Sequence, residues 1–416
     1  MGEVNKDTIR LAVIGFGGYG SELVKWILNL QEQQNCRLVA AGDARLADLA
    51  EPAGRLRAQG VALYDDAFKM LDALAGKCEA VYIATSIHTH MPLVLAALER
   101  GFHVHLEKPP AATIQEVDRM IEAVVRAGKI CIVGFHIIQG RDAEFLKQRI
   151  STGRLGKVRR IVHRACWPRD AAYYSRNDWA GRLMRVDSWV LDGPAMNALA
   201  HQVNNLLYLA SPTPRSFARP KAVRAELYAA GPTESHDTAA IEISTVEGTT
   251  LYWLGSHCTE EMLNPRIDVT ADGGSATWQP IGGKAEVRYA DGTSESHAGG
   301  DCHERMIANF IEAIRKDDSS LLRCSLADTR AFTLALNGAH ESSGLIHRID
   351  AQHTRKIGAG LPTQRTVLVG LDEDINRAAD QGRLFSDLSP APAWTVATKV
   401  FDLAGYDKFP RVFRCR

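Results

Sequence analysis

The chain has 416 residues, with 49 lysines and arginines against 49 aspartates and glutamates, so it is long enough for two or three domains and carries no net field. That balance excludes, as expectations, a nucleic-acid partner and attraction to an anionic membrane surface. The eight cysteines, at 36, 78, 131, 166, 258, 302, 324 and 415, form no C-x-x-C pair, and the acidic N-terminus runs straight into an apolar strand with no signal-peptide core. Free thiols in a soluble, cytoplasmic protein are the expectation.

The first predicted element is a buried strand over residues 11–14, which breaks into Gly15-Phe16-Gly17-Gly18-Tyr19-Gly20, a G-x-G-x-x-G spacing. In a strand–turn–helix setting, Gly15 makes the tight turn, Gly17 lets backbone approach a pyrophosphate, and Gly20 lets helix and strand pack closely. The following helix, with Leu23, Val24, Ile27 and Leu28 at helical spacing, would hold phosphates at its positive end. A second strand over 36–41 ends in Gly42-Asp43, where an acid can grip the adenosine ribose; the alternative is a turn aspartate. Arg45 offers a guanidinium to a 2′-phosphate, so NAD is expected with NADP still open.

Alternation continues with a strand over 80–84, a helix over 91–100, a strand over 101–106 and a closing strand over 131–135. This pattern predicts a doubly wound parallel sheet, with residues 1–135 as a dinucleotide-binding Rossmann domain of the α/β class. From residue 158 strand-like runs follow one another with few helices between, at 158–166, 222–228, 239–244, 249–256, 267–270 and 285–289. Helices are expected at 195–209, 304–316 and 326–346. Residues 136–349 therefore read as an α+β domain with a large antiparallel sheet, and 350–416 as a C-terminal extension wrapping the body, because Phe385, Trp394, Val400, Phe401, Tyr406 and Phe409 are too apolar for a disordered tail.

Glu107-Lys108-Pro109 follows the fourth of these strands at the ligand-binding edge of the sheet. A lysine there, half buried beside a cofactor, suits the shuttling of a hydroxyl proton while hydride leaves the same carbon; a solvated loop lysine is the alternative. Residues 167–181 crowd aromatic, arginine and short polar side chains, the mix that holds a sugar by ring-face packing or a carboxylate by a guanidinium fork. Arg169, Tyr174, Arg176 and Trp179 are the expected substrate contacts, with a domain-interface role as the alternative. The pairs His88/His90 and His103/His105 have a spacing that permits chelation, but no acidic or thiol partner accompanies them and no metal is expected. Cys302-His303 is set aside as core, since adjacent helical residues point apart.

As a series, Gly15, Gly17 and Gly20, then Asp43, Thr85 and His90, then Gly101-Phe102-His103-Val104 running into Glu107-Lys108-Pro109, resembles the Gfo/Idh/MocA oxidoreductases, the family of glucose-fructose oxidoreductase, inositol 2-dehydrogenase and rhizopine catabolism. The resemblance covers the first domain and, more loosely, the second. It implies a dinucleotide fold followed by an open-faced antiparallel sheet that pairs subunits into a homodimer or homotetramer. It also implies a catalytic and substrate-binding role for Lys108, and places Thr85, His90 and Glu107 beside the cofactor with the Gly15–Gly20 loop, Asp43 and Arg45. The family's second signature, an aspartate four residues before a histidine, appears here as Asn197-x-x-x-His201. His201 is then the acid–base partner of Lys108, while Asn197 can only hydrogen-bond a hydroxyl.

The expected activity is NAD(P)-dependent oxidation or reduction of a secondary alcohol in a sugar, cyclitol or sugar derivative. Two rivals follow from the same resemblance: a glycosidase or lyase using bound NAD for transient oxidation, and a dinucleotide-binding sensor without turnover.

Overall fold

The computed structural model describes residues 7–415. Two compact units divide it. One takes the chain through Ala111 together with Glu116–Gln139 and Asp301–Thr329; the other takes Ala112–Gln115, Gly140–Gly300 and the chain from Arg330 on.

The first unit is built on six parallel strands, β1 (Ile9–Ile14), β2 (Cys36–Gly42), β3 (Ala62–Tyr64), β4 (Ala80–Ile83), β5 (His103–Leu106) and β6 (Cys131–Val133), in the order β3-β2-β1-β4-β5-β6. Helices α1 (Tyr19–Leu30), α2 (Ala50–Ala58), α3 (Ala67–Leu74), α4 (His90–Glu99) and α5 (Ile114–Ala127) make the crossovers. The strand order reverses beside β1, between β2 and β4, and a doubly wound sheet binds ligands at the carboxyl ends of the strands flanking such a switch. The strand runs read from the sequence are all present. β3 was missed because its apolar run, Val61-Ala62-Leu63-Tyr64, is short and none of the three strand residues is fully buried.

The chain continues through α6 (Arg141–Ser151), β7 (Val158–Cys166), α7 (Ala171–Ser175), a small hairpin of β8 (Met184–Arg185) and β9 (Ser188–Trp189), and α8 (Ala200–Ala210). Next come β10 (Pro220–Ala229), β11 (Thr238–Thr245), β12 (Thr250–Ser256), β13 (Leu263–Ala271), β14 (Gly274–Gln279), β15 (Lys284–Tyr289) and β16 (Ser294–Ala298), followed by α9 (Cys302–Lys316) and α10 (Leu326–Ser343). The last elements are β17 (His347–Arg348), β18 (Thr354–Ile357), β19 (Arg365–Leu368), α11 (Leu371–Gln381) and β20 (Phe401–Asp402). The large sheet runs β16-β15-β14-β13-β7-β12-β11-β10-β17, with β20 also on β10. It is antiparallel except where β12 meets β7 and β10 meets β17.

Two differences from the sequence-based picture have clear physical causes. Residues 301–329 were assigned to the second domain, yet they return to the first unit. The stripe Met306, Ile307, Phe310, Ile311 and Ile314 of α9 is buried in one cluster with Leu11, Leu23 and Ile27, and each such side chain is worth about 1.5–3 kcal/mol when removed from water. The large sheet was also expected to be open on one face. Over β7, β10, β11 and β12 that face is covered by the chain's own tail: Val162, Tyr228, Ala240 and Leu254 pack with Leu371, Ile375, Phe385, Leu388 and Trp394. Farther along, β13 to β15 present Arg266, Thr270, Ser275, Gln279, Lys284 and Arg288 to solvent.

The extension is anchored again at its end. The Glu341 carboxylate accepts hydrogen bonds from Tyr406 Oη at 2.7 Å and from the Val412 and Phe413 N–H groups at 2.6 and 2.7 Å. Phe409 and Phe413 pack edge-on to Trp189 of β9 and to His340. Among the described residues no helix is long and apolar enough to cross a membrane.

Candidate active site

In the first unit the glycine turn sits at the carboxyl end of β1. Gly15 has φ of +83°, and a side chain there would also collide with the Ala84 carbonyl oxygen; a Cβ on Gly20 would run into the Gly15 carbonyl. Both glycines are thus demanded by the protein's own backbone. Gly17 is different: a Cβ there would lie 3.4 Å from a Leu49 methyl and 3.6 Å from Asp43 Oδ2, close to ordinary contact, and Gly18 has nothing within 4 Å. The fold tolerates a side chain at Gly17, whereas a pyrophosphate seated on this turn would not. The residues therefore fit a dinucleotide, with the turn and the N-terminus of α1 facing its phosphates.

Asp43 closes the turn from the end of β2. Its Oδ2 accepts from the Phe16 and Gly17 N–H groups at 3.2 and 3.3 Å, and its Oδ1 from the Arg45 N–H at 2.9 Å. Of roughly four lone-pair positions on a carboxylate, about one remains for a ribose hydroxyl. The Arg45 side chain is exposed.

His90 takes a role the sequence did not give it. It is 1% exposed; Nδ1 lies 3.0 Å from the Pro109 carbonyl oxygen, and Nε2 lies 3.1 Å from that of Thr85. One imidazole thus sits between the loop after β4 and the loop after β5; its neutral form carries one N–H, so it staples through one hydrogen bond and meets the other carbonyl as a contact. Burial pulls its pKa down to about 4, so the ring is neutral at physiological pH.

Lys108 is half buried on the loop that His90 holds, and its peptide bond to Pro109 is cis. Glu107 beside it is 5% exposed. Burial pushes its carboxyl up to about 7, against the pull of the Lys108 charge and of the Lys108 N–H donated to Oε2 at 3.2 Å. Gly134 permits this packing, since a Cβ there would strike the Glu107 carboxyl.

The histidine pairs weighed for metal binding separate into structural roles. His105 stacks on Tyr82 with ring centroids 4.5 Å apart and meets Phe310 edge-on, and His103 Nδ1 accepts the Ile130 N–H at 3.1 Å. The expectation that Cys302 and His303 point apart is corrected: Sγ lies 3.6 Å from Nδ1 at the first turn of α9, and His136 joins them.

In the second unit, residues 167–181 form a folded loop around α7. Asp170 caps α7 by accepting the Tyr173 N–H at 2.9 Å. The Arg176 guanidinium lies over the Tyr173 ring at 3.7 Å and 5.2 Å from the Trp179 ring, and the Arg169 guanidinium lies 4.6 Å from the Tyr173 ring centre. Tyr174 Oη is 3.2 Å from Nδ1 of the buried His257. Of the four expected contacts, Arg169, Arg176 and Trp179 gather around Tyr173, and Tyr174 turns to His257.

Asn197 and His201 were expected one turn apart on a single α-helix. Instead Asn197 lies in one π-helical turn, Pro194–Ala198, and His201 lies past a break at Leu199, near the start of α8. Such a turn re-aims side chains and frequently marks a functional site. His201 is 8% exposed. The sequence reading missed Asp192, 2% exposed, whose Oδ1 accepts from Asn197 Nδ2 at 2.8 Å and whose Oδ2 accepts the Gly181 N–H at 2.7 Å, with Arg176 Nη2 4.0 Å away. It fixes the Asn197 amide and ties the 167–181 loop to the π turn. In the sequence, Asp192-Gly193-Pro194 reads as an ordinary turn before a helix, so only the fold exposes the link.

Residues 9–135 match the family described as an oxidoreductase family with an NAD-binding Rossmann fold, Gfo/Idh/MocA. Among curated relatives, myo-inositol 2-dehydrogenase of Thermotoga maritima is 32% identical over 158 residues, 38% of this chain and 45% of that protein. D-glucoside 3-dehydrogenase of Escherichia coli is 31% identical over 153 residues, 36% of this chain and 41% of that protein. The chain thus spans less than half the length of either relative. Solved structures extend the likeness in fold to the second unit. The WlbA dehydrogenase of Bordetella pertussis, in complex with NADH and UDP-GlcNAcA, superposes with a TM-score of 0.67 at 20% identity, covering 81% of this chain and 96% of that one. Levoglucosan dehydrogenase in complex with NADH and levoglucosan gives 0.69 at 18%, covering 81% and 97%.

Proposed function

We propose that the protein is an NAD-dependent oxidoreductase acting on a secondary alcohol of a sugar, cyclitol or sugar derivative. The observation that carries this reading is the shared edge of the first unit's sheet: the glycine turn, Asp43 and Lys108 all stand at carboxyl ends of parallel strands, with Gly17 open to a ligand. NAD, when bound, supplies a two-electron hydride acceptor or donor.

Lys108 takes the proton from the substrate hydroxyl oxygen in oxidation and returns it in reduction, held in place by the His90 staple. His201 assists that transfer or orients the hydroxyl. Asn197, its amide fixed by Asp192, hydrogen-bonds a neighbouring hydroxyl. Arg169, Arg176, Trp179 and Tyr174 receive the ring, through aromatic faces and guanidinium donors. The Asp43 carboxylate repels a 2′-phosphate, which favours NAD over NADP.

A screen of polyols and sugars that follows reduced-nicotinamide absorbance tests this reading. Turnover with NAD on at least one secondary alcohol is the expected result, and turnover only with NADP, or none with either, overturns it. A homodimer or homotetramer remains the proposed assembly. Because the tail covers the apolar part of the large sheet, its contacts would fall on the polar face of β13 to β15. A monomeric mass in light scattering would remove that proposal.

A further inference from the structure

Where α9 begins, three side chains of different chemistry converge within the first unit. Cys302 and His303 open the helix, and His136 comes from the 3-10 turn His136–Gln139 after β6. One ligating atom from each lies within 4.8 Å of the other two. The Cys302 Sγ to His303 Nδ1 separation is 3.6 Å, which already matches the S···N edge of about 3.6 Å implied by tetrahedral zinc bonds of roughly 2.3 and 2.1 Å.

The surroundings fix two of the three ligands. The Trp26 ring stacks on His303 with centroids 3.9 Å apart and planes 22° apart, and His136 lies at 3.8 Å with a 30° tilt. The Arg305 Nε–H, one turn into α9, donates to the Gln139 carbonyl at 2.7 Å and ties the helix to the 3-10 turn that carries His136.

The chemistry of the cluster is that of a metal site. Each imidazole offers one ring-nitrogen lone pair in its neutral form. Cys302 is the first residue of the 15-residue α9, and a metal takes a cysteine as thiolate, releasing its proton. One thiolate and two imidazoles suit a borderline-soft divalent ion and leave a fourth position for water. All three residues are half buried, so an ion has a path in.

We propose that Cys302, His303 and His136 form a binding site for a tetrahedral divalent transition metal of the zinc class, pinning the start of α9 to the turn after β6. The site does not take Lys108 as a ligand and its test does not require turnover, although the Lys108 charge reaches His136.

The test uses the full chain, stripped with a chelator and titrated with Co²⁺. One equivalent is expected to give the intense d–d bands of four-coordination and a thiolate-to-cobalt charge-transfer band, both lost when Zn²⁺ is added. Cys302→Ser should abolish the charge-transfer band. His303→Gln and His136→Gln should each weaken Co²⁺ binding at least about tenfold, and Cys415→Ser, which removes the exposed thiol, should change nothing. A wild-type chain without the charge-transfer band overturns the proposal, as does a band that survives Cys302→Ser or wild-type affinity in either histidine variant. A second measurement needs no variant: Zn²⁺ should slow alkylation of Cys302 in the native chain, read by mass spectrometry of its peptide, and an unchanged rate overturns the site.

Discussion

The two units hold their candidate residues in opposite ways. In the first, every cofactor-side residue stands at the end of a parallel strand, and short-range geometry fixes its place: Gly15 by its positive φ, Gly20 by the close approach of the Gly15 carbonyl, Lys108 by the turn after β5. In the second, the proposed substrate-side residues come from a loop, a π turn and the start of α8, with Asp192 and His257 holding the π turn and the loop. The cores differ likewise. The first sheet is covered by its own crossover helices and by α9, while the central strands of the second need a segment more than 100 residues later in the chain, around α11, to cover one face. A strand-end site tolerates sequence change away from the turn, whereas a site assembled from distant segments depends on each link.

The largest expected effect separates chemistry from binding on the first unit's edge. Lys108→Ala should lower turnover by about 10²–10⁴-fold, the usual contribution of a positioned acid–base group, with dinucleotide affinity retained; normal turnover on an identified substrate overturns the assignment. Ile375→Ala tests the dependence of the second unit on its tail. Ile375 is fully buried against the large sheet, so a loss of about 2–5 kcal/mol in denaturant unfolding is expected, and a loss below 1 kcal/mol means the tail is not part of the core.

Asp192→Ala leaves the Gly181 N–H and the Asn197 amide without their shared acceptor. It should cost about 1–3 kcal/mol and raise KM, and a change in kcat alone would place Asp192 in the chemistry. Gly17→Ala should leave the thermal midpoint within a degree or two while weakening NAD at least about tenfold, near 1.4 kcal/mol; the reverse pattern would mean that Gly17 serves the fold.

A separate effect is one of pH. Burial lowers the His105 pKa to about 3, below its unfolded value near 6.5, so the unfolded chain binds the extra proton between those limits. The stability this group contributes is complete above pH 6.5 and is lost as the pH falls toward 3. His105→Phe, which keeps the stack with Tyr82 and Phe310, should flatten the fall of the thermal midpoint between pH 6 and 4. An unchanged slope shows that other buried histidines carry it.

What the residues determined alone is the first unit. Alternating apolar runs, a glycine turn and acids and lysines at strand ends announced a doubly wound sheet and the edge on which NAD would lie, because backbone sterics and strand-to-helix periodicity act over a few residues. Tertiary structure decided what depends on distant segments meeting. It returned α9 to the first unit, because that helix's apolar stripe finds its complement on α1 and β1 and not on the elements nearest in sequence. It closed the large sheet with the tail, replaced an expected α-helical turn at Asn197 by a π turn, and made Asp192 its anchor. It also set His90 between the Thr85 and Pro109 carbonyls, and brought His136 to Cys302 and His303, since the partners of a side chain are set by which elements pack and not by its neighbours along the chain.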